Sequence, residues 1–131
     1  MNRFLFMLLL SLPLMLAAQT SSVQISWVYD NVEKGYDHDS KCLIYVDGEQ
    51  VGESSVTPET KPNSYKIAVD RGKHNIRVES WTLYEGKWEM HTVENDYSVD
   101  ALYEGTHRLS KGKHKLSIVF DIDNGTEGKF K

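Results

Sequence analysis

Cys42 is the residue best suited to covalent chemistry, because it is the only cysteine and the chain carries five histidines that could activate it. A catalytic thiolate needs an electropositive and partly exposed setting. Cys42 instead begins the apolar run 42–46, where a small buried side chain is expected. The sequence contains no Gly-x-Ser-x-Gly, His-Glu-x-x-His or phosphate-binding glycine loop. We therefore predict a non-enzymatic protein with no catalytic residues.

Two acidic segments carry side chains that metals prefer. Residues 37–39 read Asp-His-Asp, but direct neighbours in a chain do not readily converge on one ion. Asp121, Asp123 and Asn124 are similar to the start of a calcium loop, yet Gly125 comes one place early and no glutamate occupies the twelfth position. We predict polar surface loops at both places, with no metal and no cofactor.

The aromatic residues of the second half are the best candidates for ligand binding. Residues 81–90 predict a hairpin with Tyr84 and Trp88 near its tip. If both rings are exposed, they form a flat apolar platform that stacks on a sugar face or grips a protein partner. If they point inward, they belong to the core, where Trp81 is expected.

These residues must be positioned by strands, because apolar side chains recur with a period of two. The alternation is clear over residues 23–29, 65–70 and 115–122, and each run predicts a half-buried strand. The continuous run 42–46 indicates a central strand covered on both faces. About seven short strands without a long helical pattern predict an all-β fold, an antiparallel immunoglobulin-like β-sandwich.

Turn residues separate the predicted strands. Asp47-Gly48 is a strong hairpin signal, and glycine-centred triplets at 71–73, 85–87 and 111–113 also predict turns. Residues 30–40 and 54–63 are predicted loops. Segments 71–78 and 111–118 resemble each other, but the similarity does not extend beyond them. We therefore predict two hairpins with the same turn and not a duplicated unit.

Three stretches have a weaker pattern. The apolar phase of residues 76–83 shifts around Ser80, which predicts a β-bulge or a bend. Residues 98–103 are compatible with one helical turn. The tail 124–131 is expected to fray.

The N-terminus has the order of a secretory signal peptide. A short positive start with Arg3 precedes an apolar run, 4–16, which ends in Ala17 and Ala18. This run is too short for a membrane span, which needs about 20 apolar residues. We predict a signal peptide at 1–18, a single domain at 19–131, and an exported protein, periplasmic or extracellular.

The charge balance argues against nucleic acid as a partner. The formal net charge is −4, and loss of Arg3 with the signal peptide makes it one unit more negative. An acidic domain without a basic stripe binds nucleic acid poorly. With one cysteine, the exported chain has no internal disulfide and must be held together by its core.

The middle of the chain resembles a known family. Residues 46–52 read Val-Asp-Gly-Glu-Gln-Val-Gly, and residues 72–78 read Gly-Lys-His-Asn-Ile-Arg-Val. The two segments resemble the hairpin and the following strand of the PEGA-type repeat, a small immunoglobulin-like β-domain of bacterial exported proteins. The resemblance covers residues 44–78 and lacks the Pro-Glu-Gly-Ala element. It implies a structural or binding module and supplies no catalytic residues.

We therefore expect an exported module that acts by protein recognition or as a structural component of the cell envelope. One alternative is a carbohydrate-binding module that uses Tyr84 and Trp88. A further alternative is a hydrolase inhibitor that uses the loop 54–63. The protein partner is unidentified.

Cleavage of the signal peptide gives the first prediction. The mass of the secreted protein should correspond to a chain that begins at Gln19, since small residues precede this position. Intact-mass spectrometry of the secreted product measures this directly. A product that retains residues 1–18 would contradict the prediction.

Overall fold

The computed structural model describes residues 20–131, so the predicted signal peptide lies outside the described residues. Residues 20–131 form ten strands and one short 3-10 turn, Val93–Asn95. The strands are β1 (Thr20–Asp30), β2 (Asp39–Val46), β3 (Glu49–Glu53), β4 (Thr57–Pro58), β5 (Asn63–Asp70), β6 (Gly72–Tyr84), β7 (Lys87–Met90), β8 (Leu102–Leu109), β9 (Gly112–Asp121) and β10 (Gly125–Phe130).

The strands form two open sheets. One has four strands in the order β10-β9-β1-β5, and the other has six, with the order β3-β2-β6-β7. In the second sheet β4 also pairs with β2, and β8 with β6. All pairs are antiparallel except β1 with β9. The all-β class is thus confirmed, and none of the helical structure in residues 20–131 is long and apolar enough to cross a membrane.

One apolar core is shared by the two sheets, as the two-residue period predicts. In β1 the alternating residues Val23, Ile25, Trp27 and Tyr29 are at most 4% exposed. The remaining core side chains come from both sheets and from the residue before β8: Cys42, Ile44, Val46, Ile67, Val69, Ile76, Val78, Ala101, Leu109, Leu116, Ile118 and Phe120. Cys42 is buried and free, and β2 lies between β3 and β6, which confirms the central position. The expected cover on both faces is wrong, because Leu43 and Tyr45 on the outer face are only half-buried.

On each side of the core, a tyrosine ring packs against a glycine of the facing sheet. On one side Tyr65 of β5 lies over Gly52 of β3, so that a Cβ added to this glycine would collide with the ring. On the other side Tyr103 of β8 lies over Gly128 of β10 in the same way. Each contact joins edge strands of opposite sheets. The absence of a side chain at these glycines lets an aromatic ring fill the gap between sheets.

Two predicted hairpins are confirmed. Asp47 and Gly48 have φ of 51° and 85°, and Glu85 and Gly86 have φ of 49° and 78°. Positive φ at both central residues gives the two-residue turn whose twist suits antiparallel strands. Accordingly β2 pairs with β3, and β6 with β7.

The other two glycine triplets do not form hairpins, and this prediction is wrong. Residues 71–73 carry the chain from β5 in one sheet to β6 in the other, and residues 111–113 carry it back from β8 to β9. Both crossings use the same local contact. His74 Nε2 lies 2.9 Å from the Asp70 carbonyl oxygen, and His114 Nε2 lies 2.8 Å from that of Ser110. The repeated Gly-Lys-His pattern therefore accompanies a change of sheet.

The predicted bulge at Ser80 is also wrong. The β2–β6 register runs without a shift from Ser40–Thr82 to Val46–Ile76. Ser80 and Thr82 therefore keep the core-facing phase of Ile76 and Val78, and Trp81 lies half-buried on the outer face instead of in the core. The interruption lies in the strands that pair with β6, because residues 92–100 leave the sheet between β7 and β8.

Regions with a weak pattern form more strand than expected. Residues 102–103 begin β8 instead of ending a helical turn, and the tail 124–131 forms β10 instead of fraying. The predicted loop 54–63 contains the short strand β4. Long-range pairing overrides the low intrinsic strand propensity of these segments. Consequently the described part of the chain has ten strands, whereas about seven were expected.

The contact between Tyr103 and Gly128 gives a stability prediction. Gly128→Ala should lower the free energy of unfolding by about 1–3 kcal/mol, because the added methyl group overpacks against the ring. Urea unfolding measures the change. In a Tyr103→Leu background the same substitution should cost clearly less. An equal loss in both backgrounds would show that the ring is not responsible.

Candidate functional site

A large concave site lies where residues 92–100 leave the strand edge. It is a cleft of about 650 Å³, within the range of small-ligand sites. We call it the acidic cleft. It is lined by Val32, Glu33, Tyr36, His38, Glu59, Tyr84, Glu89, His91, Asn95, Asp96, Tyr97, Ser98, Ile122 and Asp123.

A smaller depression of about 370 Å³ lies on the turn between β2 and β3. Two of its polar side chains are paired, since His74 Nδ1 lies 2.6 Å from Asp47 Oδ2 and the Asn75 amide donates to Asp47 Oδ1. The histidine contact lowers the pKa of Asp47, and the same contact raises the pKa of His74. These groups hold a turn together, and within residues 20–131 no unpaired buried side-chain atom lies in this depression.

His91 and Glu59 form the buried base of the acidic cleft. Their exposed fractions are 4% and 2%, which is unusual for ionisable residues. His91 Nδ1 lies 2.8 Å from Thr82 Oγ1 and 3.8 Å from Glu59 Oε2, and the second distance is too long for a hydrogen bond. Glu59 Oε1 accepts a hydrogen bond from the His38 amide. His91 Nε2 is buried and has no hydrogen-bond partner within residues 20–131.

Burial keeps both groups neutral. Loss of water raises the pKa of Glu59 to about 8, with a smaller contribution from the negative charge of Asp37. Loss of water also lowers the pKa of His91 to about 4. Around neutral pH the carboxyl group therefore holds a proton and the imidazole does not. Shifted pKa values of this size are typical of functional sites.

Hydroxyl groups connect this base to the core. Tyr29 at the end of β1 shares a hydrogen bond with Ser80, and burial raises the pKa of the phenol. The Tyr29 ring also lies 5.0 Å from the His91 ring. Burial raises the pKa of the Cys42 thiol as well, so neither Cys42 nor Tyr29 supplies an anionic nucleophile at neutral pH.

The walls of the acidic cleft are aromatic and acidic. Tyr97 stacks on His91 with ring centres 4.2 Å apart, and its hydroxyl donates to Glu89 Oε2 at 3.1 Å. Burial raises the pKa of Tyr97, so the hydroxyl stays protonated and keeps this hydrogen bond. The Tyr84 and His38 rings are perpendicular, with ring centres 5.6 Å apart, and Tyr84 is 45% exposed.

The structure does not bring Tyr84 and Trp88 together on one surface. In the β6–β7 register Leu83 pairs with Trp88 and Tyr84 with Lys87, so the two aromatic residues occupy opposite faces of the hairpin. Tyr84 faces the acidic cleft. Trp88 is half-buried on the outer face, where Lys41 Nζ lies 4.4 Å from the ring centre in a cation–π contact. A joint platform is therefore excluded by geometry, whereas a separate ligand role of either ring stays a prediction.

The two acidic segments considered for metals have other contacts. Asp37 accepts hydrogen bonds from the amide and the hydroxyl of Thr60. Asp121 accepts hydrogen bonds from the side chains of Asn31 and Asn124 and from the amides of Asp123 and Asn124, and these contacts lower its pKa to about 2. Within the described chain no three histidine, cysteine or carboxylate side chains are grouped for a metal ion.

Sequence reasoning missed His91, Glu59 and Tyr97 as site residues. The sequence feature that could have indicated a buried polar site is the presence of polar residues at core-facing positions of a strand. Counting by twos along β6 from Ile76 and Val78 reaches Ser80 and Thr82, which need buried polar partners. The identity of those partners was not readable, because Glu59 and His91 come from distant segments.

Comparisons with known proteins give no family for the chain. No family model matches it, and no curated protein does. A solved structure described as "Crystal Structure of Gram Negative Toxin" aligns with 86% of this chain at 11% identity and a TM-score of 0.38. The chain spans about a quarter of that protein, since the alignment covers 23% of it.

The buried pair predicts how stability depends on pH. Between pH 4.5 and about pH 8 the folded state retains the Glu59 proton that the unfolded state loses. The free energy of unfolding therefore falls as the pH rises through this range. Between about pH 4 and pH 6.5 the unfolded state binds a proton at His91 that the folded state excludes. The free energy of unfolding therefore rises with pH through this range. The two effects offset each other up to pH 6.5. From there to pH 8 the Glu59 effect remains and lowers stability by on the order of 1–2 kcal/mol.

Glu59→Gln should remove this part of the decline between pH 6.5 and 8 in urea unfolding experiments. His74, whose pKa is also raised, adds a decline in the same direction, but it does so in both proteins and cancels in the comparison. Glu127→Gln, an exposed control on β10, should keep the parental slope. An unchanged slope in Glu59→Gln would refute the neutral buried carboxyl group.

Proposed function

We propose that the protein is an exported, non-enzymatic recognition module whose acidic cleft binds part of a protein partner. The carrying observation is that a ligand-sized cleft ends in a buried histidine with an unpaired nitrogen. Export rests on the N-terminal sequence pattern, and the place of action is the periplasm or the exterior of the cell.

The proposed fold type is an immunoglobulin-like β-sandwich. Two sheets share one core, and the chain crosses between them at residues 71–73 and 111–113, which supports this assignment. In such folds, recognition residues sit on the segments that connect strands at one end. The acidic cleft has this location, because residues 31–38, the β6–β7 turn and residues 91–98 surround it.

The chemistry of the cleft favours binding over catalysis. Glu59 and His91 are both buried, and the contact of His91 Nδ1 with the Thr82 hydroxyl at 2.8 Å holds the imidazole ring at the base of the cleft. The thiol of Cys42 and the phenol of Tyr29 are both held in their neutral forms. The exposed wall, in contrast, carries rings and carboxylates that can hold a partner side chain without changing it.

A carbohydrate-binding module is the second candidate, because Tyr84 exposes 45% of its surface at the edge of a cleft lined with carboxylates. A sugar face stacks on such a ring while carboxylates accept its hydroxyl hydrogens. On this alternative Tyr84 acts without Trp88, which faces away from the cleft.

Site-specific photo-crosslinking tests the protein partner. A photoreactive phenylalanine analogue at Tyr84 should yield a discrete crosslinked protein in the native envelope or secreted fraction, because this position is exposed at the cleft. The matched control carries the analogue at Val51, which is 46% exposed on β3 and is not a cleft residue.

The same adduct at both positions, or an adduct at neither, would contradict recognition through the cleft. Loss of the Tyr84 adduct on addition of a free sugar would favour the carbohydrate alternative. Circular dichroism of both labelled proteins should show the same strand-rich spectrum and melting temperature, which separates loss of binding from loss of folding.

A further inference from the structure

The acidic cleft carries charge of one sign. Its lining includes the carboxyl groups of Glu33, Glu59, Glu89, Asp96 and Asp123, and no lysine or arginine belongs to the described lining residues. Glu59 is neutral at the buried base, so the negative charge comes from the four carboxylates nearer the mouth. A concave surface of one sign focuses its field and concentrates ligands of the opposite sign.

Aromatic rings stand beside these carboxylates. Glu89 is held by the Tyr97 hydroxyl at 3.1 Å, so that its position is fixed before a ligand arrives. Tyr84 and Tyr36, which are 45% and 63% exposed, add ring faces at the mouth. A cation close to both a carboxylate and a ring face gains charge-assisted hydrogen bonds and a cation–π attraction.

An independent observation at the base points to a missing donor or acceptor. His91 is 4% exposed, and its Nε2 has no hydrogen-bond partner in residues 20–131. An unpaired buried polar atom costs free energy that a ligand or a water can recover. When Nδ1–H donates to Thr82, the neutral ring presents a lone pair at Nε2 for a ligand N–H.

We propose that the acidic cleft binds an organic cation, an ammonium or a guanidinium group. This inference rests on the proposed function, because the natural source is then a lysine or arginine side chain of the protein partner. A free polyamine offers the same chemistry and is the second source. The carboxylates hold the charge, the tyrosine rings cover the cation's alkyl stem, and a ligand N–H that reaches the base pairs with His91.

An NMR titration of the secreted protein tests the inference. The cationic probes are N-acetyl-lysine amide, N-acetyl-arginine amide and spermidine, and the neutral probes are N-acetyl-norleucine amide and glucose. The cationic probes should shift the signals of Glu89, Tyr97 and the His91 ring nitrogens and should bind more weakly at high salt. Preference for the two amino-acid amides assigns the site to a partner side chain, and preference for spermidine assigns it to a free polyamine.

Glu89→Gln should weaken binding of the cationic probes about tenfold, because it removes a charge but keeps an acceptor for Tyr97. Glu33→Gln at the exposed mouth is a second variant, in case Glu89→Gln disturbs the fold. Glu127→Gln on β10 should leave the affinity unchanged. Equal binding of lysine and norleucine amides, stronger binding of glucose, or no binding by any cation would overturn the inference.

The outcome is separable from that of the crosslinking experiment. A specific protein adduct at position 84 together with no cation binding would overturn the cation inference and leave protein recognition standing. Cation binding without any protein adduct would instead support the chemistry of the cleft and refute the protein partner.

Discussion

The two-residue alternation of β6 sets which side chains the far end of the core must accommodate. One unbroken strand of 13 residues carries apolar Ile76 and Val78 into the core and then, in the same phase, polar Ser80 and Thr82. Because register fixes which face each side chain occupies, the polar pair cannot turn outward without displacing the apolar pair as well. The far end of the core must therefore supply polar partners, and Tyr29 and His91 do so.

This requirement explains why the base of the acidic cleft is buried but polar. A buried polar group costs little when it is hydrogen-bonded, and a buried charge costs far more. Glu59 and His91 respond by taking their neutral forms, with pKa values moved in opposite directions by the same loss of water. The charge is left to carboxylates at the mouth, where water still reaches them.

The same strand separates the two aromatic surfaces. Tyr84 continues the core-facing phase past the last core residue and so reaches the cleft, whereas Trp88 shares the outer face with Trp81 and Leu83. Neighbours in a hairpin sequence thus end on opposite sides. The closing contacts of Tyr65 with Gly52 and of Tyr103 with Gly128 obey the same alternation, since each ring points from an edge strand toward the facing sheet.

Features that depend only on neighbours in the chain could be predicted from the amino-acid sequence. Alternation predicted the all-β class and the buried side of β1, β5 and β9, and Asp47-Gly48 predicted its hairpin, because positive φ at both positions is a local property. Which strands pair, and which turns cross between sheets, depends on contacts between residues that are far apart in the chain. The triplets at 71–73 and 111–113 look like hairpins until β5 and β8 are placed in opposite sheets. The candidate site belongs to this second group, because Glu59 and His91 are 32 residues apart in the chain and meet only in the folded protein. Their pKa values are shifted by burial, which no local sequence pattern predicts.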